Sequence, residues 1–567
     1  MSRIVAGFAV ALALVAPGRA LAESLLSVSS GPRPGPDLLY EPPATAPQLT
    51  STGVCTAAPL LVSGATAYRD GEFLYQDFLY DDHGANGGRR DANDPRSGDD
   101  TFSTPNGTYT YPTDQKRYAQ NAADLVEFRV KALAGATAFR ITLNTMLDPT
   151  AAATTIAIGS SATPRAFPHG ANATAPAQLF LTVHGDQADL VDAATGQPAP
   201  GPAPTATVDR ERRQITVLLP HAAYDPGQGT VRLAAGVGLW DNQNSRYLIP
   251  QQDATDTQPG GAGTLADPPA FFNVAFRTKE PFATVHGGTS TTTDPAWWRD
   301  QQQGDALRSG DLSRFAVDVD FAKLAARTDD DSGVPKAGPM DRILASHFEP
   351  AQGVDFNRSC GDATDCEGEL LGRLQPYAIY VPKKPMPASG YGLTLLLHSL
   401  GAMYNQFASS NNQSQLGERG PGSIVITPAG RGPDGWYWGL AGADTFEVWA
   451  DVASRYRLDP DWTAISGYSM GGYGTYKLAG QFPDLFARAN PVVGPPSLGI
   501  TFTGQDSTGG PQTITRPMLA SVRNIPFLIW DGAQDELVPT SGVLARCSGS
   551  TTWATATRST SSTRPST

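Results

Sequence analysis

Apolar and polar residues alternate with a period of two over much of residues 56–282. Val126, Phe128 and Val130 alternate with Glu127, Arg129 and Lys131, and Phe139, Ile141 and Leu143 with Arg140, Thr142 and Asn144. Ile215, Val217 and Leu219 repeat the theme, as do Phe272, Val274 and Phe276. This period predicts strands with one buried face, and many of them between turns predict an all-β sandwich. From about residue 370 the pattern changes. Continuous apolar runs at 377–381, 393–397, 423–427 and 525–530 alternate with stretches of helical period. Runs that are apolar on both faces belong in a mostly parallel sheet with helices on both faces. Asp444 and Glu447 read as a capping-box start to a helix carrying Phe446, Val448, Trp449, Val452 and Tyr456.

The segments outside these two blocks complete the organisation. Residues 1–22 read as a secretory signal: Arg3 is the positive start, 4–15 the apolar run, and Ala20-Leu21-Ala22 the small-residue cleavage site. The apolar run is too short for a membrane span, and no later stretch qualifies, so an exported protein without a membrane anchor is expected. Residues 23–55 are rich in Pro and Ser and are expected to run extended. Residues 283–369 are expected to be a linker and helical connector. Gly287 to Thr293 is polar, and helical character begins near Trp297, whose pair with Trp298 is expected to pack between domains. The catalytic block is placed at 370–545, and 546–567 form an aberrant tail.

Bulk composition narrows the function. The 567 residues suffice for two or more cores. The formal net charge of −13 without a basic cluster argues against nucleic acid as a partner. Of four cysteines, Cys360 and Cys366 bracket a short loop, where an exported protein would carry a local disulfide; a metal site is the weaker reading, since no His or further Cys is close in sequence. Cys55 has no obvious mate.

Candidate chemistry centres on Gly467-Tyr468-Ser469-Met470-Gly471, between a β-prone 463–466 and a helix-competent 472–480. A serine on so tight a turn projects its hydroxyl above the sheet edge, over a helix N-terminus. Upstream, Leu397-His398-Ser399-Leu400-Gly401 is a strand entering a Gly-containing loop. In an acyl-transfer site such a loop supplies one oxyanion N–H, here near Leu400, and the residue after the nucleophile, Met470, supplies the other. His398 precedes the nucleophile and is expected to shape that loop, not to act as the base. Asp535, in the loop after 525–530, is placed to orient a histidine, with Asp531 as the fallback. Trp436, Tyr437 and Trp438 either line an acyl and substrate-binding pocket or form a structural aromatic cluster.

These residues carry two resemblances. The segment 465–474 around Ser469, with Phe482-Pro483-Asp484-Leu485-Phe486-Ala487-Arg488-Ala489, resembles secreted α/β-hydrolases. The pattern is similar to esterase/polyhydroxybutyrate-depolymerase-like and prolyl-oligopeptidase-like domains, over about 370–545. It implies a Ser–His–Asp triad, in which a base activates the serine and an acid orients the base; it requires no cofactor for catalysis. The N-terminal block resembles the glucodextranase-type β-sandwich modules related to carbohydrate-binding domains. That likeness rests on Phe78 to Ala85, Gly107 to Pro112 and Ala123 to Phe128. Such modules often hold a structural calcium, for which Asp81, Asp82 and Asp124 offer oxygen ligands; the alternative is solvated turn carboxylates.

The triad lacks its base. None of the seven histidines lies beyond His398, and the tail from Arg546 is almost devoid of apolar residues. A frameshift near Ala545–Arg546 would account for both. One permitted back-translation of the tail in another frame reads as an amphipathic helix, an alternating strand and a histidine. In that case Cys547 is not native. The expectation is therefore an α/β hydrolase preceded by an all-β sandwich, a secreted serine esterase acting on an ester substrate, with a polyester or polysaccharide ester as its polymeric form. The alternatives are a serine peptidase of prolyl-oligopeptidase type and a catalytically dead polymer- or glycan-binding protein.

Overall fold

A computed structural model describes residues 33–88, 107–278, 301–356, 368–408, 410–495, 521–535, 538–541 and 543. The signal region, the polar linker, Trp297 and Trp298, Cys360, Cys366, Cys547 and the tail lie outside the described residues. Among the described residues, no helix is long and apolar enough to cross a membrane.

The N-terminal block forms two antiparallel sheets. One has six strands in the order Thr66–Arg69, Glu72–Gln76, Leu125–Ala132, Ala136–Leu143, Gln214–Pro220 and Thr205–Asp209. The other is built around the long strand Thr230–Asp241, which pairs with Ala152–Gly159, Arg246–Tyr247, Phe271–Val274 and Val317–Asp320. Phe128, Phe139, Ile141, Val217, Ile156, Leu181, Leu233 and Phe272 share one apolar core contributed by both sheets.

Two expectations for these strands need correction. Val126 does not share a face with Phe128 and Val130. The register shifts between Leu125 and Glu127, and this bulge sends Val126 into a separate cluster with Leu79, Ile343 and Leu374. Nor is the polar face solvated. Glu72, Glu127 and Arg129 are buried together, with Arg129 Nη1 2.9 Å from Glu72 Oε2 and donating to the Ala57 carbonyl at 2.7 Å. Pairing and hydrogen bonding let charged groups go under cover. The cover is the N-terminal segment, which is extended at Pro36, Glu41, Ala46 and Thr50 and turns through short 3-10 helices at Asp37–Tyr40 and Pro47–Leu49. Cys55 is buried in it as a free thiol.

The C-terminal block has a six-stranded mixed sheet. Its order is Gly338–Ala345, Leu374–Val381, Ser423–Pro428, Tyr391–Leu397, Leu458–Tyr468 and Arg488–Val492. The first two pairings are antiparallel and the other three parallel. Parallel bridges from Ala489 to Phe527 and Val492 to Trp530 extend it. Its edge strand Gly338–Ala345 comes from the stretch expected to be a connector. The Pro339, Asp341 and Arg342 interruptions hide it in the sequence, whereas backbone pairing with Leu374–Val381 secures it.

Strand period explains how the helices lie. Leu393, Leu395 and Leu397 face a cluster with Phe446, Val448 and Val452 of the helix Gly439–Arg455 and Tyr476 and Leu478 of the helix Met470–Gln481. Leu396, on the other face, packs with Tyr380, Val425 and Phe407, beside the short helix Asn411–Gly417. The capping-box expectation fails. The helix starts at Gly439 with Trp438 as an uncapped N-cap, so Asp444 and Glu447 lie inside it, both buried. They serve tertiary contacts instead.

Candidate active site

Ser469 sits between the strand Leu458–Tyr468 and the helix Met470–Gln481, with φ 52° and ψ −113°. A positive φ on a residue with a Cβ is strained and persists only where its surroundings over-determine it. Two neighbours do so. Ser469 N–H donates to the Val492 carbonyl at 3.0 Å, and the Ser469 carbonyl accepts from Tyr473 N–H at 3.0 Å. The flanking glycines are required by close approach. A Cβ on Gly467 would lie 2.3 Å from the Gly471 carbonyl oxygen, and one on Gly471 would lie 2.1 Å from that of Leu397. Among the described residues, the Ser469 hydroxyl makes no hydrogen bond, and its residue is half-buried.

Beside it, the strand Tyr391–Leu397 ends in the loop expected to carry the second N–H. Ser399 N–H donates to Gln406 Oε1 at 2.8 Å, Gly401 N–H to the Pro433 carbonyl at 3.1 Å, and Ala402 N–H to the Ser399 carbonyl at 3.1 Å. Among the described residues, the Leu400 N–H is left without a partner, as is the Met470 N–H at the first position of its helix. Leu397 pairs with Gly467 in parallel register, so both N–H groups lie at the same carboxyl edge of the sheet.

His398 is fully buried. Nδ1 lies 3.0 Å from the Ser399 carbonyl oxygen and Nε2 3.0 Å from that of Ala429. Burial, the largest influence, lowers its pKa and favours the neutral ring, so one of the two contacts is an N–H···O bond. The ring is thus committed to the backbone of its own loop and of the next.

Asp535 Oδ1 accepts from Val538 N–H at 2.7 Å. Its charge helps burial raise the Tyr468 phenol, which places it near the elbow. Asp531 accepts from Gly532 N–H at 3.0 Å, and among the described residues its buried Oδ2 has no partner. Burial pushes Asp531 up to about 6. The Asp535 charge adds to that rise, which places the two carboxylates near each other.

The aromatic trio divides. Trp436 donates from Nε1 to Asp434 Oδ1 at 2.7 Å and meets Tyr473 edge-on at 5.2 Å. Trp438 lies 4.4 Å from Lys477 Nζ, ring centroid to charge. Tyr437 is buried, and its hydroxyl donates to the His398 carbonyl at 2.9 Å.

Behind the loop lies a buried polar cluster. Asp444 Oδ2 accepts from Gly430 N–H at 2.8 Å, and burial pushes this carboxyl up to about 7. Glu447 accepts from Ser346 Oγ at 2.6 Å and from His347 N–H and Nδ1 at 2.6 and 2.9 Å, with Arg431 Nη2 3.9 Å away. Sequence reasoning missed Lys477, whose Nζ donates to the Tyr437 carbonyl at 2.6 Å. The signal was present: a lone lysine among the small and apolar residues of the elbow helix.

The acidic trio in the N-terminal block lies elsewhere. Asp81, Asp82 and Asp124 are buried, which overturns the solvated-turn reading. Asp81 pairs with Arg277 and accepts from Asn273 Nδ2 at 2.5 Å. Asp82 accepts from Tyr111 and from Asn121 Nδ2 at 3.1 Å. Asp124 accepts from Tyr80 N–H, Asn121 Nδ2 and Asn144 Nδ2 at 2.9, 3.0 and 2.9 Å. Among the described residues, no group of three or more His, Cys, Asp or Glu side chains is arranged to hold a metal ion.

Neither a family model nor a curated protein sequence matches the chain. Among solved structures it is similar to a thermostable esterase at 13% identity over 76% of this chain and 89% of that one, with a TM-score of 0.28. It is similar to an S-formylglutathione hydrolase from Staphylococcus aureus at 18% identity over 34% of this chain and 85% of that one, with a TM-score of 0.27. A CE1 ferulic acid esterase from Anaeromyces mucronatus shows 15% identity over 39% of this chain and 82% of that one, with a TM-score of 0.29. These structural neighbours are esterases and hydrolases of low identity. At such TM-scores the likeness carries no activity over to this chain.

Proposed function

We propose that this chain is an exported serine hydrolase of carboxylic esters, with its two N-terminal sheets forming a β-sandwich accessory module. The observation that carries the reading is Ser469, strained at φ 52° on a strand-to-helix elbow beside two N–H groups that have no partner among the described residues. In this reading Ser469 Oγ attacks the acyl carbon. The carbonyl oxygen gathers negative charge and is stabilised by the N–H groups of Leu400 and Met470 and by the N-terminus of the elbow helix. The alcohol leaves, and water releases the acid in a second step. Asp535 orients the base, with Asp531 as its alternate.

The base is a histidine expected downstream of Ala545 in an altered reading frame. Each of the six described histidines has a partner away from Ser469: a carbonyl for His83 and His398, carboxylates for His169, His221 and His347, and the Trp240 ring for His184. This commitment favours a second reading, in which this chain is catalytically silent and the sheets bind a polymer. Purified chain, its Ser469→Ala variant and a version read through into the downstream histidine, assayed on a p-nitrophenyl ester, separate the two. Read-through activity lost on Ser469→Ala supports the hydrolase. Activity that survives Ser469→Ala in a clean preparation removes Ser469 as nucleophile.

A further inference from the structure

We propose that Tyr437 is a positioning residue that sets the Leu400 N–H against the Met470 N–H, with Lys477 holding Tyr437 in place. The proposal rests on the reading of Ser469 as nucleophile with those two N–H groups as oxyanion donors.

Tyr437 touches both halves of the site. Its ring lies on the elbow helix at Gly474, where a Cβ would come within 2.4 Å of Tyr437 Cδ2. Its hydroxyl donates to the His398 carbonyl at 2.9 Å. The side chain therefore spans the distance between the helix that begins with Met470 and the loop that carries Leu400.

Peptide planes transmit the contact. The His398–Ser399 peptide is pinned at both ends, its carbonyl by Tyr437 and its N–H by Gln406 Oε1. The next peptide has its Ser399 carbonyl taken by Ala402 N–H, so its opposite pole, the Leu400 N–H, points away with its direction set. Removing the Tyr437 hydroxyl frees the first plane to rotate, and the second follows.

Tyr437 is itself held under strain. Trp436 and Tyr437 have φ of 47° and 56°, unusual for aromatic residues. Strained backbone of this kind is kept only by specific contacts. The contact here is Lys477 Nζ, which donates to the Tyr437 carbonyl at 2.6 Å and lies over the Trp438 ring at 4.4 Å. Lys477 is buried. Its Nζ donates to this loop and, at 2.9 Å, to Gln481 Oε1 of its own helix. Lys477 also lies two turns along the helix from Met470, so one rigid element carries an oxyanion donor and the clamp.

The test uses Tyr437→Phe, Lys477→Met and Ser469→Ala in the full chain. Hydrogen-exchange mass spectrometry reads the peptide spanning residues 398–408. Steady-state kinetics on a p-nitrophenyl ester, and phosphonylation of Ser469 by a fluorophosphonate, read the chemistry. Tyr437→Phe is expected to speed exchange in that peptide with little change elsewhere. It is also expected to lower kcat and the phosphonylation rate about tenfold at nearly constant KM, because displaced oxyanion donors weaken only the transition state. Lys477→Met moves the same readouts in the same direction and is read alone if Tyr437→Phe does not fold. Unchanged exchange at 398–408, or an altered KM or melting temperature at constant kcat, overturns the proposal. Where turnover is too slow to measure, exchange decides. Labelling that persists in Ser469→Ala would instead remove the nucleophile reading, a failure distinct from a silent Tyr437→Phe.

Discussion

Asp444 accepts the Gly430 N–H at 2.8 Å from inside a helix, not from its first turn. A carboxyl that looks like a cap in the sequence is a buried brace for the loop beside His398. Its consequences can be measured.

Burial raises the folded-state pKa of Asp444 to about 7, against an ordinary value of 3.8. The folded state then holds a proton between those two values that the unfolded chain has lost. Stability therefore falls as pH rises from about 4 through about 7. Asp82, also pushed up to about 7 by burial, adds to the same slope. Asp444→Asn keeps an oxygen acceptor for Gly430 and removes the titration. Its melting temperature should decline less than that of the parent between pH 4 and pH 8. Parallel pH profiles for the two proteins would show that Asp444 does not titrate in this range.

Ser469→Gly should separate strain from chemistry. Glycine accepts a positive φ without a Cβ clash, so this variant should be more stable than Ser469→Ala by about 1 kcal/mol. Denaturant midpoints of the two variants give the difference directly. Equal midpoints would mean that the elbow is not strained.

Gly471 has no room for a methyl group. A Cβ there meets the Leu397 carbonyl oxygen at 2.1 Å and that of His398 at 2.9 Å, both backbone. Backbone cannot swing aside as a side chain can. Gly471→Ala should cost at least about 2 kcal/mol in urea unfolding. It should also disturb the register between the loop and the elbow helix.

Glu447 gathers Ser346, His347 and the buried Arg431 guanidinium. Truncating it leaves Arg431 without its carboxylate in a site from which water is excluded. Glu447→Ala should lose about 3–5 kcal/mol, while Glu447→Gln, which retains an acceptor, should lose less. Thermal unfolding of both variants ranks them.

What local pattern could convey, it conveyed. The runs at 377–381, 393–397 and 423–427 are strands because continuous apolar residues must be covered on both faces. The Ser469 elbow was legible because two glycines at fixed spacing record a close backbone approach. The capping-box misreading of Asp444 and Glu447, the bulge that turns Val126 away, and the edge strand Gly338–Ala345 were not legible. Each depends on a partner far along the chain.

The sequence by itself therefore determined the central strands of both blocks, where the elbow falls and which serine it presents, since period and glycine spacing are local properties. Tertiary structure alone decided that Tyr437 reaches from Gly474 to the His398 carbonyl, that Lys477 donates to the Tyr437 carbonyl, and that Asp81, Asp82 and Asp124 are buried and hydrogen-bonded to other side chains. Those outcomes depend on which side chains meet once water is excluded. A buried polar group takes whatever donor or acceptor the fold brings within about 3 Å, and no local pattern names that partner in advance.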